Sequence, residues 1–153
     1  MKTLINIDVP DLQTDSAFYQ AALGLTQSRT LDDDVVELSG ASSTIYLLQK
    51  PVGSAASSAN DSAATRSYAR HWTPVHLDFV VDDLAAAAER AIRAGAKQES
   101  ECVEWRGSRC ITFSDPFGHG FCLIAFDGET YSESEGLSFA GFRKLSRGGG
   151  SAS

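Results

Sequence analysis

No stretch of this chain is long and apolar enough to cross a bilayer; its hydrophobic runs are short and broken by Asp or Gly. Basic residues are scarce too. Thirteen Lys and Arg stand against twenty Asp and Glu, a formal charge of −7 at pH 7. No basic stretch exists to neutralise phosphates, which excludes generic binding to nucleic acid and to anionic membrane surfaces. Cysteine is limited to Cys102, Cys110 and Cys122, an odd and scattered set. No CxxC or CxxxC spacing occurs among them, which argues against a structural zinc knuckle. The opening MKTLINIDVP is too polar for a secretory signal. The expectation is a cytoplasmic protein with reduced thiols.

What is present is a globular composition. Of 153 residues, 42% are hydrophobic and 22% charged, enough for one ordinary domain. Leu4 to Val9 alternates apolar and polar residues at the period of a half-buried strand. Asp11 can cap a helix from Leu12 to about Leu23 whose apolar face carries Phe18, Ala22 and Leu25, with Gly24 at its left-handed end. Strands follow at Thr26–Arg29, Val35–Leu38 and Thr44–Leu48. Residues 51–66 are small and polar and read as a flexible connector. The pattern then restarts with a strand at Val75–Val81. Asp83 caps the Ala-rich helix Leu84–Ala94, with an apolar stripe at Leu84, Ala88, Ala91 and Ile92 and with Gly95 at its end. Strands follow at about Gln98–Glu104, Ser108–Phe113 and Gly120–Phe126, joined by turns at Trp105-Arg106-Gly107 and Asp115-Pro116-Phe117-Gly118.

The two halves superimpose in order. Leu4 to Leu12 lines up without a gap against His76 to Leu84, and a helix, a glycine and three strands follow in each. The chain is therefore a tandem βαβββ repeat. Its parts are a first module over residues 1–50, a connector over 51–72, a second module over 73–127 and a tail over 128–153. Each module alone would be marginal, so the two are expected to form one domain. In the tail, Leu137, Phe139 and Phe142 could dock, whereas the end from Arg147 (RGGGSAS) has no means of ordering itself.

Three segments carry a family resemblance: NIDVPDLQTDSAFYQAALGL, HLDFVVDDLAAAAERAIRAGA and, most specifically, FSDPFGHGFCLIAF. With them the chain resembles the vicinal oxygen chelate superfamily, the glyoxalase/bleomycin-resistance/extradiol-dioxygenase fold, over about residues 2–50 and 73–127. The resemblance implies an α+β fold in which two tandem βαβββ modules form curved mixed sheets around a central cavity. It is weak for the reaction, because this fold hosts isomerases, dioxygenases, epimerases, thiol transferases and binders that catalyse nothing. Metal-dependent members hold a divalent ion with residues of the first and last strand of each module. Those positions fall here on Leu4, His76, about Tyr46, and Cys122. Leu4 has no donor atom and Tyr46 is a rare ligand, so one His and one Cys remain. The implication is that the usual metal site is lost and that no metal or cofactor is needed. A one-residue shift in the alignment would instead bring in Asn6, Asp8, Glu37 or Asp78.

His76 and Asp78, two residues apart on one strand face, form the best residual pair and the candidate catalytic groups, with His76 as a base near neutral pH. Candidate pocket residues are Asn6, Tyr46, Trp105, Arg109, Phe121 and Cys122, with Trp72 a further possible wall. Trp105 beside Arg106 and Arg109 suits an anionic or aromatic ligand. Cys122 reads as a small buried hydrophobe with nothing basic beside it in sequence. Cys102 and Cys110 flank the Trp105 hairpin and are placed near-opposite, within reach of a disulfide under oxidation. His71 and His119 adjoin turns and read as solvated or structural. The segment from Arg66 to Trp72 reads as a piece of connector docked on its own domain or as a lid or dimer contact. The functions that follow are a small-molecule binder of the bleomycin-resistance type without the usual metal, a lyase, isomerase or dioxygenase of the same superfamily, or an interaction protein with a filled cavity. A homodimer is expected, since paired modules can close within one chain or exchange across a two-fold axis.

Overall fold

A computed structural model of the chain describes residues 1–57 and 64–133. The tail positions Leu137, Phe139, Phe142 and Arg147 lie outside the described residues. The first module runs β1 (Leu4–Val9), α1 (Leu12–Leu23), β2 (Thr26–Leu31), β3 (Val35–Ser39) and β4 (Thr44–Gln49). The second runs β5 (Leu77–Val80), α2 (Leu84–Ala94), β6 (Lys97–Gln98), β7 (Val103–Trp105), β8 (Ser108–Ser114) and β9 (Gly120–Phe126). Both helices start as read from the sequence: the Asp11 carboxylate accepts from the Thr14 N–H at 2.8 Å and that of Asp83 from the Ala86 N–H at 2.9 Å. Gly24 and Gly95 end them at φ 67° and 111°, which a side chain would oppose. Among the described residues no helix is long and apolar enough to cross a membrane.

The two sheets repeat one topology. The first has the order β1-β4-β3-β2 and the second β5-β9-β8-β6, with β7 also paired to β8. β1 runs parallel to β4 and β5 parallel to β9, and the remaining pairs are antiparallel. The α+β tandem expected from the repeat is therefore present. Each sheet buries one face under the helices, and α1 packs against α2, so the halves share a core. Val9, Leu38, Ile45 and Leu47 of one half and Ala91, Phe113 and Leu123 of the other are fully buried in it. The other face of each sheet is open.

Three local differences from the sequence reading have simple causes. Ile92 is 48% exposed and Ala87 takes its place on the buried stripe, because the small residues let α2 approach α1 closely. The strand expected over 98–104 is interrupted: β6 and β7 are separate, and Glu99 and Ser100 bond to Thr112 in the gap. Trp105 is not a turn residue but closes β7 opposite Ser108. The turn is Arg106-Gly107, with φ 47° and 72°, the positive pair that a two-residue hairpin requires.

The modules are also joined by a buried polar cluster. Asp115, in the turn before β9, accepts from Tyr19 Oη of α1 at 2.7 Å, from the backbone N–H groups of Phe117 and His119 at 2.9 and 2.8 Å, and from His119 Nδ1 at 2.7 Å. Burial opposes its ionisation, but these donors and the His119 charge hold it below the usual aspartate range. His119 loses solvation, yet its bond to Asp115 and the neighbouring negative charge raise its pKa. It also bonds the Asp8 backbone of β1, which makes it structural rather than solvated. Asp15 of α1 is fully buried beside this cluster. One carboxylate oxygen accepts from the Asp11 N–H at 3.1 Å, and the other has no partner among the described residues. Burial is the main cause that pushes Asp15 up to about 7. The Asp115 and Asp11 charges add to it, and the Asp11 N–H and His119 oppose it.

Asp15 generates a pH prediction. Its folded pKa lies above the ordinary 3.8, so between those values the folded chain holds a proton that the unfolded chain releases. Stability therefore falls as pH rises through that window, by up to about 1.4 kcal/mol per unit. His119 contributes only above 6.5, and Asp115 only near or below 3.8. Urea unfolding of Asp15→Asn between pH 4.5 and 6.5 is expected to show that slope flattened, and a slope equal to that of the parent chain would refute the assignment.

Candidate functional site

The open face of the second sheet floors a cavity of about 1220 Å³. Side chains alternate across a strand, so on β8 Ser108, Cys110 and Thr112 point into it while Ile111 and Phe113 enter the core. On β9, Cys122 and Ile124 line the cavity, and Phe121, Leu123 and Ala125 face the helices. On β5, Asp78 lies opposite Cys122 in register, and His76 precedes the strand on the same face.

At the centre of this floor His76, Asp78 and Cys122 converge. A ligating atom of each lies within 4.8 Å of the others, and His76 Nε2 is 3.2 Å from Asp78 Oδ1. The Cys122 thiol lies 3.6 Å from Thr112 Oγ1, and Cys110 faces the same cavity, diagonal to it across the ladder. Bonds from Cys110 and then Thr112 lower the Cys122 pKa against the effect of burial, whereas Cys110, bonded to Cys122 and desolvated, is raised. Sequence reading gave Cys122 no activating neighbour because its neighbours lie across the strand ladder. The partner assigned to Cys110 also changes. It opposes Val103, which leaves Cys102 on the other face and exposed, and its thiol neighbour is Cys122.

The remaining expected residues separate clearly. Trp105 lines the cavity, 5.1 Å edge-to-face from Tyr131, which sequence reading missed because Tyr131 follows the repeat. Arg109 alternates to the opposite face of β8 and reaches Asp127 at 3.7 Å. Arg106 lies over the Trp105 ring and donates to the Ser132 and Glu133 carbonyls. Phe121 is a core residue stacked on Phe113 at 5.6 Å. Asn6 and Tyr46 are in register on the open face of the first sheet, outside the cavity. There Tyr46 Oη donates to Glu37 at 2.7 Å, beside the ion pair of Glu37 with Arg29 at 2.8 Å. Bonds from Arg29, Ser28 and Tyr46 hold the Glu37 carboxyl down at about 2. The donor set that the superfamily would use therefore does not fit in this half: Leu4 offers no atom, and the Tyr46 hydroxyl is committed to Glu37.

Residues 66–72 of the connector lie along the upper wall, where Trp72 lines the cavity. Arg66 pairs with Asp8 at 2.7 Å, Tyr68 Oη donates to the Lys50 carbonyl at 2.8 Å, and Arg70 makes a two-point contact with Glu99 at 2.7 and 2.5 Å. Arg70 also lies 5.2 Å over Trp72, whose ring sits 4.7 Å from that of His76. Two glycines make room for this strap. A Cβ on Gly118 would come within 2.6 Å of the Tyr68 carbonyl oxygen, and one on Gly120 would overlap the Trp72 ring. Gly120→Ala is thus expected to expel Trp72 at a cost of about 1–3 kcal/mol. In a Trp105→Phe background, where Trp72 is the remaining tryptophan, its emission should shift to the red, and an unchanged spectrum would show that the strap does not sit there.

A family model described as a glyoxalase-like domain matches residues 4–124. No curated protein matches the chain significantly. Among solved structures, a glyoxalase/bleomycin resistance protein/dioxygenase from Nocardioides is 18% identical with a TM-score of 0.62, covering 89% of each chain. Lactoylglutathione lyase from Agrobacterium tumefaciens is 20% identical with a TM-score of 0.57, covering 82% of this chain and 92% of that one. A fosfomycin resistance protein from Listeria monocytogenes is 22% identical with a TM-score of 0.60, again covering 82% and 92%.

Proposed function

The chain belongs to the glyoxalase-like domain family, and from that premise we propose that it binds a small aromatic molecule, neutral or cationic, in the cavity over its second sheet. The observation that carries this reading is the cavity lining. Trp72 stands at the start of β9 and Trp105 with Tyr131 near its end, and Asp78 and Glu101 line the space they bound. Flat aromatic surfaces select aromatic ligands, and carboxylates between them favour a cation or a hydrogen-bond donor. The anionic ligand suggested by Arg106 and Arg109 is disfavoured, because Arg109 turns to Asp127 and Arg106 to backbone carbonyls. Binding in the manner of a bleomycin-resistance protein, without the superfamily's two-module metal arrangement, agrees with the poor donors at Leu4 and Tyr46. A cytoplasmic setting is part of the same reading.

Catalysis is the second reading, and one contact favours it. His76 Nε2 lies 3.2 Å from Asp78 Oδ1 on the cavity floor, an arrangement in which the carboxylate orients the ring and the imidazole moves a proton. The expected chemistry is then that of a superfamily lyase, isomerase or dioxygenase. We further read the chain as a homodimer. β1 and β5 are both sheet edges, with Leu4 at 49%, Val75 at 79% and Val80 at 66% exposure on or beside them. Pairing such edges across a two-fold axis would cover them and set the first sheet of one copy against the cavity of the other.

Both tryptophans of the chain line the cavity, so intrinsic fluorescence reports on it directly. Neutral and cationic aromatic compounds should quench the emission and raise the melting temperature, anionic ones should do neither, and Trp105→Ala should abolish the response. Silence from every class would refute the binding reading. Light scattering after size exclusion should give twice the chain mass of 16.3 kDa, and a monomer would refute the dimer.

A further inference from the structure

We propose that the cavity over the second sheet is the docking site of this chain's own C-terminal segment, residues 134–147, which competes there with ligands from outside. The proposal rests on the reading of the lining as aromatic and acidic, and it adds regulation of that same site. The segment, SEGLSFAGFRKLSR, follows the residues matched by the family model and lies outside the described residues. It carries Leu137, Phe139 and Phe142, with Arg143 and Lys144 directly after them. Three of the thirteen cations of this acidic chain stand in it beside a single carboxylate, Glu135. It thus has the aromatic and cationic chemistry that the cavity suits.

Two observations join segment and cavity. The first is where the described chain ends. Tyr131 meets Trp105 at 5.1 Å and Phe126 at 4.9 Å, at one end of the cavity. The residues after it are pinned to the hairpin there. The Ser132 N–H donates to the Arg106 carbonyl at 2.8 Å, and the Arg106 guanidinium donates back to the Ser132 and Glu133 carbonyls at 3.1 and 3.3 Å. From that end the floor runs back along β9 to Trp72 over Gly120, about 20 Å at ~3.3 Å per residue. Phe139 is six residues beyond Glu133 and Phe142 nine, reaches of about 20 and 30 Å in an extended chain. The segment is therefore long enough to cover the floor from one tryptophan to the other. The second observation is complementarity. Asp78, Glu99 and Glu101 line the cavity, and among the described residues no Lys or Arg does. Glu99 is paired with Arg70 of the wall, and the cations of the segment suit the other two. Trp72 and Tyr131 stand 47% and 40% exposed, aromatic surface for Phe139 and Phe142 to cover. β5, an edge assigned to the dimer, lies across the sheet from Trp105 on β7, so the segment enters from the side that the dimer leaves open. A short tether supplies an effective concentration of about 1 mM. An outside ligand then binds with an affinity reduced by the fraction of time the segment is in place.

Acrylamide quenching of the full chain tests this directly, because both tryptophans line the cavity and the segment contains neither Trp nor Tyr. Phe139→Ala with Phe142→Ala, and separately Arg143→Glu with Lys144→Glu, should each raise the quenching constant toward that of exposed tryptophan. A synthetic peptide of residues 134–147, added to the alanine variant, should restore the parent value saturably, at concentrations up to about the 1 mM that the tether supplies. Far-ultraviolet circular dichroism checks each fold, and the charge-reversed pair keeps the test decisive if the alanine pair does not fold. Three results would overturn the docking: a quenching constant unchanged in the folded variants, a peptide that restores nothing, or a difference between parent and variant that vanishes on dilution, the mark of a segment reaching in from a second copy. Benzyltrimethylammonium, a cationic aromatic probe, should raise the melting temperature more in the alanine variant than in the parent, and an equal rise would overturn the competition. No rise in either chain would sink the aromatic-ligand reading and leave the docking result standing.

Discussion

The buried carboxylate of Asp115 joins the parts of this molecule that matter for its site. A carboxylate at 5% exposure is costly unless its lone pairs are filled. Here four donors fill them: the Tyr19 hydroxyl from the first module, two backbone N–H groups of its own turn, and the His119 ring. The arrangement does two things at once. It ties α1 to the second sheet, and it shapes the turn that launches β9. That turn carries Gly118 and leads into Gly120, over which the connector strap lies. Loss of any one donor would leave a buried charge underpaired, so the same constraint that joins the modules also sets the upper wall of the cavity.

Below that wall the site follows from strand alternation. Cys122 and Phe121 are neighbours in sequence, yet one floors the cavity and the other stacks in the core on Phe113. The repeat makes the contrast between modules direct. Asn6, Tyr46 and Glu37 share a row of the first sheet, and Asp78, Cys122 and Thr112 share the corresponding row of the second. In the first row Glu37 is satisfied by Arg29, Ser28 and Tyr46, and its donors are consumed. In the second the carboxylate, thiol and imidazole meet one another and face open space. One backbone plan therefore carries a closed polar network on one sheet and an available one on the other.

Much of the architecture was legible from local pattern. The Asp caps, the terminal glycines, the period-2 strands and the gap-free match of Leu4–Leu12 to His76–Leu84 express backbone preferences that act within a few residues. The pair His76 and Asp78 was legible for the same reason, since residues i and i+2 of a strand share a face. The errors share one cause as well. Arg109 and Phe121 have fitting side chains near the hairpin and in the last strand, but each lies one position out of phase with the cavity face. Cys110 was paired with Cys102 across the nearer hairpin, whereas its thiol neighbour lies across the next strand.

The sequence alone therefore determined the tandem fold, the helix ends and the His76–Asp78 face, because each depends on short-range sterics and on the side-chain period. Only the tertiary structure decided that Cys110 and Thr112 share that face with Cys122, that Tyr131 borders it beside Trp105, and that the Tyr46 hydroxyl is committed to Glu37. Those outcomes depend on β9 lying between β5 and β8, on the register of that ladder, and on a strap returning from residues far along the chain. Contacts of that kind are set by the packing of the whole domain, and local sequence pattern does not carry them.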